Sequence, residues 1–155
     1  MRAGALVLLC ACSSEPAPVA PKCDIVMSGN LDASTSLASC ASIANDDAGA
    51  TALVVDTTTA ELGHVHLSID VGSATSGLLS SETVTTWNAI ETGLGDAGCA
   101  FQAGSDVVPH GTFSLDWTTS DAGAPHGTVD VTLALHAPSG SSCGPSDVEY
   151  LHLTF

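Results

Sequence analysis

His64 and His66, one residue apart, are the side chains of this sequence with the most evident chemical use. On an extended strand alternate residues share a face, so both imidazoles leave the same side about 7 Å apart at Cα. Neutral imidazole is a good ligand for Zn²⁺ or Cu²⁺, and a His-x-His pair offers one ion two nitrogens. A third ligand then has to come from a neighbouring strand. His136 and His152 qualify by register, because each stands opposite the apolar row of its own segment, and Asp70 shares the face of His66 two strand periods on. A centre built from His64, His66, His136 and His152 therefore needs segment 127–136 or 148–155 to lie beside 61–71. If neither does, these are polar side chains on the wet face of a sheet.

Other chemistries have less support. Ser, His and Asp are plentiful, but no Gly-x-Ser-x-Gly elbow occurs. Asp residues in the Asn45-Asp-Asp and Asp96-Ala-Gly loops do not follow the twelve-residue calcium-loop pattern. They read as turn formers whose side chains bond nearby backbone. No Gly-rich phosphate loop is present. Three Phe, two Trp and one Tyr cannot line a broad aromatic sugar platform, and Trp87, Trp117 and Phe113 read as core. The sequence predicts no enzyme. His-Gly-Thr occurs twice, at 110–112 and 126–128, each copy opening a strand. In an antiparallel hairpin the two copies lie at opposite ends, so His110 and His126 do not form a shared site.

The elements that must position these residues are short and extended. Candidate strands are 23–31, 36–43, 50–57, 61–71, 82–91, 98–103, 111–119, 127–136 and 148–155, separated by clusters of Gly, Asp, Ser and Pro. Period-two alternation is sharpest in three of them. Val65, Leu67, Ile69 and Val71 form one row, Phe113, Leu115 and Trp117 a second, and Val129, Val131, Leu133 and Leu135 a third, each with polar residues between. Such strands bury one face and wet the other. The segments 111–119 and 127–136, joined across Asp121-Ala-Gly-Ala-Pro125, predict a hairpin. Segment 82–91 reads as a strand or a short helix; its β-branched residues favour the strand. With no βαβ alternation, the chain is expected to be all-β, an antiparallel β-sandwich, immunoglobulin-like or jelly-roll-like, of about eight or nine short strands.

Charge narrows the partners. Seventeen acidic residues face two basic ones, for a formal net charge of −15. Nucleic-acid binding relies on Lys and Arg to neutralise phosphates, so this surface repels DNA, RNA and anionic headgroups. The acids are scattered, which describes a solvated surface and not an acidic tail.

The N-terminus has its own organisation. Arg2 precedes an apolar run from Ala3 to Leu9, which ends at Cys10-Ala11-Cys12 and gives way to Ser13-Ser-Glu and the proline-rich PAPVAP. Seven apolar residues span only about 10 Å as helix, against roughly 30 Å of hydrocarbon, so this is a secretory signal pattern and not a membrane span. Leu9-Cys10-Ala11-Cys12 resembles the lipobox of bacterial lipoproteins. The resemblance implies a signal peptide over 1–11 and a diacylglyceryl group on the sulfur of Cys12; the proline-rich composition makes 12–22 an extended tether, and the remaining length fits a single domain over 23–155. Ser13 after the cysteine is compatible with outer-membrane sorting. Several acyl chains give lasting attachment where one gives only marginal binding.

With Cys12 lipidated and Cys10 in the signal, Cys23, Cys40, Cys99 and Cys143 remain. An even number in an exported domain suggests two disulfides. Of the three possible pairings, Cys23–Cys40 and Cys99–Cys143 is favoured, from closeness in sequence and from flanking one block of strands. The expected function is an envelope lipoprotein, anchored in the outer membrane and facing the periplasm or the cell surface. It would serve as a binding or structural module for an envelope protein or a surface polymer. The alternative is a periplasmic zinc- or copper-binding protein using the His-x-His strand; otherwise no cofactor is expected.

Overall fold

Alternation of apolar and polar residues drives this chain into strands, and a computed structural model shows eleven of them among the residues it describes. It describes residues 22–29, 32–45, 51–92, 100–107, 110–121, 123–136 and 148–155. Cys10, Cys12, Cys99 and Cys143, with the signal, the tether and the second expected disulfide, lie outside the described residues.

The strands are β1 (Cys23–Ser28), β2 (Ala33–Leu37), β3 (Ala41–Asn45), β4 (Thr51–Thr59), β5 (Gly63–Asp70), β6 (Ser76–Ser80), β7 (Trp87–Thr92), β8 (Ala100–Gly104), β9 (Thr112–Thr119), β10 (Pro125–His136) and β11 (Val148–Thr154). All pairings are antiparallel, in the order β2-β1-β11-β10-β8-β7-β5-β4-β3, with β9 on β10 and β6 on β9. No helix among the described residues is long and apolar enough to cross a membrane.

The three rows read from sequence form the core. Val65, Leu67 and Ile69 are fully buried, with Phe113, Leu115, Trp117, Val129, Val131 and Leu133 nearly so, while Leu135 is half-buried against them. Each such side chain contributes roughly 1.5–3 kcal/mol by leaving water. Trp87 of β7 meets Phe113 of β9 at a centroid distance of 4.8 Å, so residues from both halves of the sheet close on one another.

The all-β antiparallel expectation holds, and β10 explains how the halves connect. Its residues 125–132 pair with β9, and its last three, 134–136, pair with β8. One twelve-residue strand thus serves two neighbours on one edge. The result is a single continuous curled sheet, and β3, at the far end of the order, returns to within 8 Å of β10.

Several boundaries differ from the sequence reading. The segment 36–43 is not one strand: it breaks at 38–40, where Cys40 is bridged to Cys23 with Cα atoms 5.7 Å apart. The chain passes there from one edge of the sheet to the other. In 82–91 only the part from Trp87 is strand. Before it, Thr83 Oγ1 accepts from Ser80 N at 2.9 Å, and Thr83 N and Val84 N donate to Ser80 O at 3.0 Å each, which ties the chain into a turn. The strand β6 carries Ser-Gly-Leu-Leu-Ser, which lacks alternation and gave no strand signal.

Candidate functional site

The outward row of β5 carries the His-x-His pair. Between β4 and β5 a three-residue turn, with Gly63 at φ +70°, sets the register. Leu62 N donates to Thr59 Oγ1 across that turn at 3.0 Å. Counting back from it, Asp56 falls directly opposite His66, and Thr58 opposite His64. Asp56 Oδ2 lies 2.9 Å from His66 Nδ1, and Asp56 Oδ1 lies 3.3 Å from His64 Nε2. The rings stand 6.3 Å apart and share one carboxylate. Hydrogen bonds from His66 first, then His64, hold the Asp56 carboxyl below its ordinary value of 3.8. Both bonds favour the ionised form of the acid.

The other expected ligands are elsewhere. The neighbours of β5 are β4 and β7, not β10 or β11. Along the register, His136 connects to His64 only through Ala100 and Thr92, three strand steps or about 14 Å. His152 lies on β11, beyond β10. Asp70 shares the face but accepts from Gly72 N at 2.9 Å, an Asx turn closing the end of β5. Among the described residues no group of three or more His, Cys, Asp or Glu side chains is arranged to hold a metal ion.

His152 has its own acidic partner. Asp130 stands directly across from it on β10, with Oδ1 2.6 Å from His152 Nδ1. His152 Nε2 lies 3.5 Å from Thr154 Oγ1 on the same strand. Asp130 and His152 line a hollow of about 340 Å³ together with Val26, Ser28, Thr132 and Tyr150. A larger cleft, about 630 Å³, lies over β4, β5 and β7, and its lining includes Val54, Ile90, Asp70, Asn88 and Asp106.

The repeated His-Gly-Thr segments make no joint site. Thr112 pairs with Thr132 and His126 with Thr118, so His110 and His126 sit at opposite ends of the hairpin, as expected. Their glycines explain the repeat. A Cβ on Gly111 would meet Thr132 O at 2.3 Å, and one on Gly127 would meet Asp116 O at 2.2 Å. Each copy starts its strand where neighbouring backbone comes too close for a side chain.

Sequence reasoning passed over Asp56, Asp130, Val26 and Tyr150. The first was legible in principle, since fixing the turn at 60–62 places Asp56 opposite His66. The others depend on β11 lying between β1 and β10, which no local pattern reveals. Glu149 is a further surprise: the inward row of β11 includes this fully buried carboxylate beside Leu151 and Leu153. Among the described residues nothing positive points to an enzyme. Compared with known proteins, the chain matches no family, no curated protein and no solved structure.

Proposed function

We propose that this chain is a lipid-anchored, extracytoplasmic lipoprotein of the bacterial envelope, held at the outer membrane through Cys12. Its β domain acts as a binding or structural module for an envelope protein or a surface polymer. The observation that carries the reading is the bridge between Cys23 and Cys40 at the first strand after the tether. Disulfides persist in oxidising compartments outside the cytoplasm, and this one belongs to the exported half of the lipobox pattern. The charge balance points away from nucleic acid. The test is fractionation of intact cells: the native chain sediments with outer membrane, and Cys12→Ser moves it to the soluble periplasmic fraction. Persistence of the variant in membranes defeats the lipid anchor. Crosslinking in intact cells, followed by capture, identifies an envelope protein partner.

A second reading is Zn²⁺ or Cu²⁺ binding by His64 and His66 as a pair, whose rings stand 6.3 Å apart on one face, with Asp56 as their hydrogen-bond partner and not a third ligand. Calorimetric titration of the chain with each ion tests it. Binding no tighter than tens of micromolar removes this reading.

A further inference from the structure

We propose that the outer face over β1, β11 and β10 is a subsite for a neutral, hydroxyl-rich glycan. Tyr150 would be its stacking plane, and the Asp130–His152 pair its hydrogen-bonding pole. This inference rests on the binding-module reading above and names the surface polymer that such a module would hold.

The argument begins with where the aromatics go. Five of the six Phe, Trp and Tyr side chains, Phe101, Phe113, Phe155, Trp87 and Trp117, are buried in the core. Tyr150 is the exception, 53% exposed. Val26, one strand over, is 45% exposed, and these two are among only three large hydrophobic side chains exposed in the described residues. The register pairs Tyr150 with Ser28 and His152 with Val26, so Tyr150 and Val26 are diagonal neighbours on one face. Diagonal pairs lie roughly 7–8 Å apart, which makes a short apolar strip. The outward positions on β9 carry Thr112, Ser114, Asp116 and Thr118, so the apolar strip is confined to β1 and β11 on this face.

Polar groups converge on that strip. Thr132 and Ser28 flank Tyr150 in register on either side, and the next row carries Asp130 and His152, bonded at 2.6 Å. Three strands give a patch about 10 Å wide, with rows about 7 Å apart. A pyranose ring has an apolar C–H face and a rim of hydroxyls. The ring face suits an exposed phenol. The rim suits a carboxylate, which accepts strong charge-assisted hydrogen bonds. His152 fixes the Asp130 carboxylate, and its Nε2 faces Thr154, so the pole is held before a ligand arrives.

Size and charge select the occupant. The hollow of about 340 Å³ falls at the low end of the range of small-ligand sites, roughly 300–1,000 Å³, which suits one or two sugar rings. The patch contains no Lys or Arg, and the whole chain carries −15. Acidic polysaccharides are repelled by that field; neutral ones are not. A single exposed aromatic allows one stacked ring, so the site grips one or two sugar units of a polymer.

The test is affinity electrophoresis of the full chain through gels containing hydroxyethyl cellulose or dextran as neutral probes, and polygalacturonate as the acidic one. Retardation in at least one neutral gel and none in the acidic gel is expected. Tyr150→Ala should weaken the neutral interaction about tenfold, whereas Tyr150→Phe should keep it within about threefold. Asp130→Ala, in the second row, should also weaken it, and circular dichroism melts check that each variant folds. No retardation in either neutral gel, or equal retardation by Tyr150→Ala, overturns the glycan site. If crosslinking in cells still captures an envelope protein, the binding-module reading survives that loss; if it captures nothing, both fall.

Discussion

The bridge between Cys23 and Cys40 makes the most quantitative prediction. It closes a loop with a sequence separation of 17 residues and ties the start of β1 to the link before β3. That link carries the chain between β2 and β3, the two ends of the strand order, so the bridge restrains the seam of the curled sheet. In the chain-entropy account a loop of this length removes about 10 cal/mol/K from the unfolded ensemble, or about 3 kcal/mol at 25 °C. Cys23 is 1% exposed, so the native state is already packed around its side chain. The double variant Cys23→Ala/Cys40→Ala removes this bridge and leaves Cys99 and Cys143 untouched. It should lose about 3 kcal/mol in urea unfolding, a midpoint drop of roughly 1–2 M, and roughly 10 °C in Tm. Thiol labelling of the native, non-reduced chain should find neither Cys23 nor Cys40 free. A double variant that unfolds within about 0.5 kcal/mol of the native chain would refute the reasoning, since the seam would then hold without a cross-link.

Three further outcomes follow from particular residues. Gly111→Ala places a Cβ 2.3 Å from Thr132 O at φ +65° and should cost about 2–4 kcal/mol. Gly72→Ala, at φ +56° with nothing within 4 Å, should cost only about 1–2 kcal/mol, and equal losses by thermal unfolding would show that close approach is not the cause. Leu67→Ala, fully buried on β5, should lose about 2–5 kcal/mol, and a loss under 1 kcal/mol would mean the site collapses freely. Asp56 should titrate below 3.8 by carboxyl NMR, because His66 and His64 stabilise its ionised form. Its small contribution to stability is present above 3.8 and is lost as pH falls through the lowered folded value; titration at or above 3.8 would contradict the geometry.

Much of the fold was legible because burial imposes a period of two. The rows Val65-Leu67-Ile69, Phe113-Leu115-Trp117 and Val129-Val131-Leu133 all face the core, and the hairpin of β9 and β10 follows from the turn between them. What escaped is long-range. Nothing local says that β11 inserts between β1 and β10, or that β10 exchanges β9 for β8 after residue 132. The same gap governs the site. The outward direction of His64, His66 and His152 is a property of one strand and was readable, while their partners belong to strand order and were not. β6 escaped for a different reason: with Leu78 77% exposed and Gly77 on the inward row, it is held by pairing with β9 more than by its own pattern.

Strand order also separates the two outer-face patches. Asp56 with His64 and His66 occupies β4 and β5, and Asp130 with His152 occupies β10 and β11. Between β5 and β10 run β7 and β8, so the nearest strands of the two patches are three strand steps apart, about 14 Å along the sheet, and no described metal-ligating cluster joins them. Metal–nitrogen bonds are about 2 Å long, so no single ion can draw ligands from both. Each histidine instead meets the carboxylate that its own neighbouring strand supplies, and in a chain with two basic residues those carboxylates have few other cationic partners. Sites at that separation with no shared contact act additively. Changes at His64 and His66 therefore leave a ligand on Tyr150 untouched, and changes at Tyr150 leave the shared Asp56 carboxylate as it is. The metal reading and the glycan reading thus stand or fall on different side chains, and neither draws support from the other.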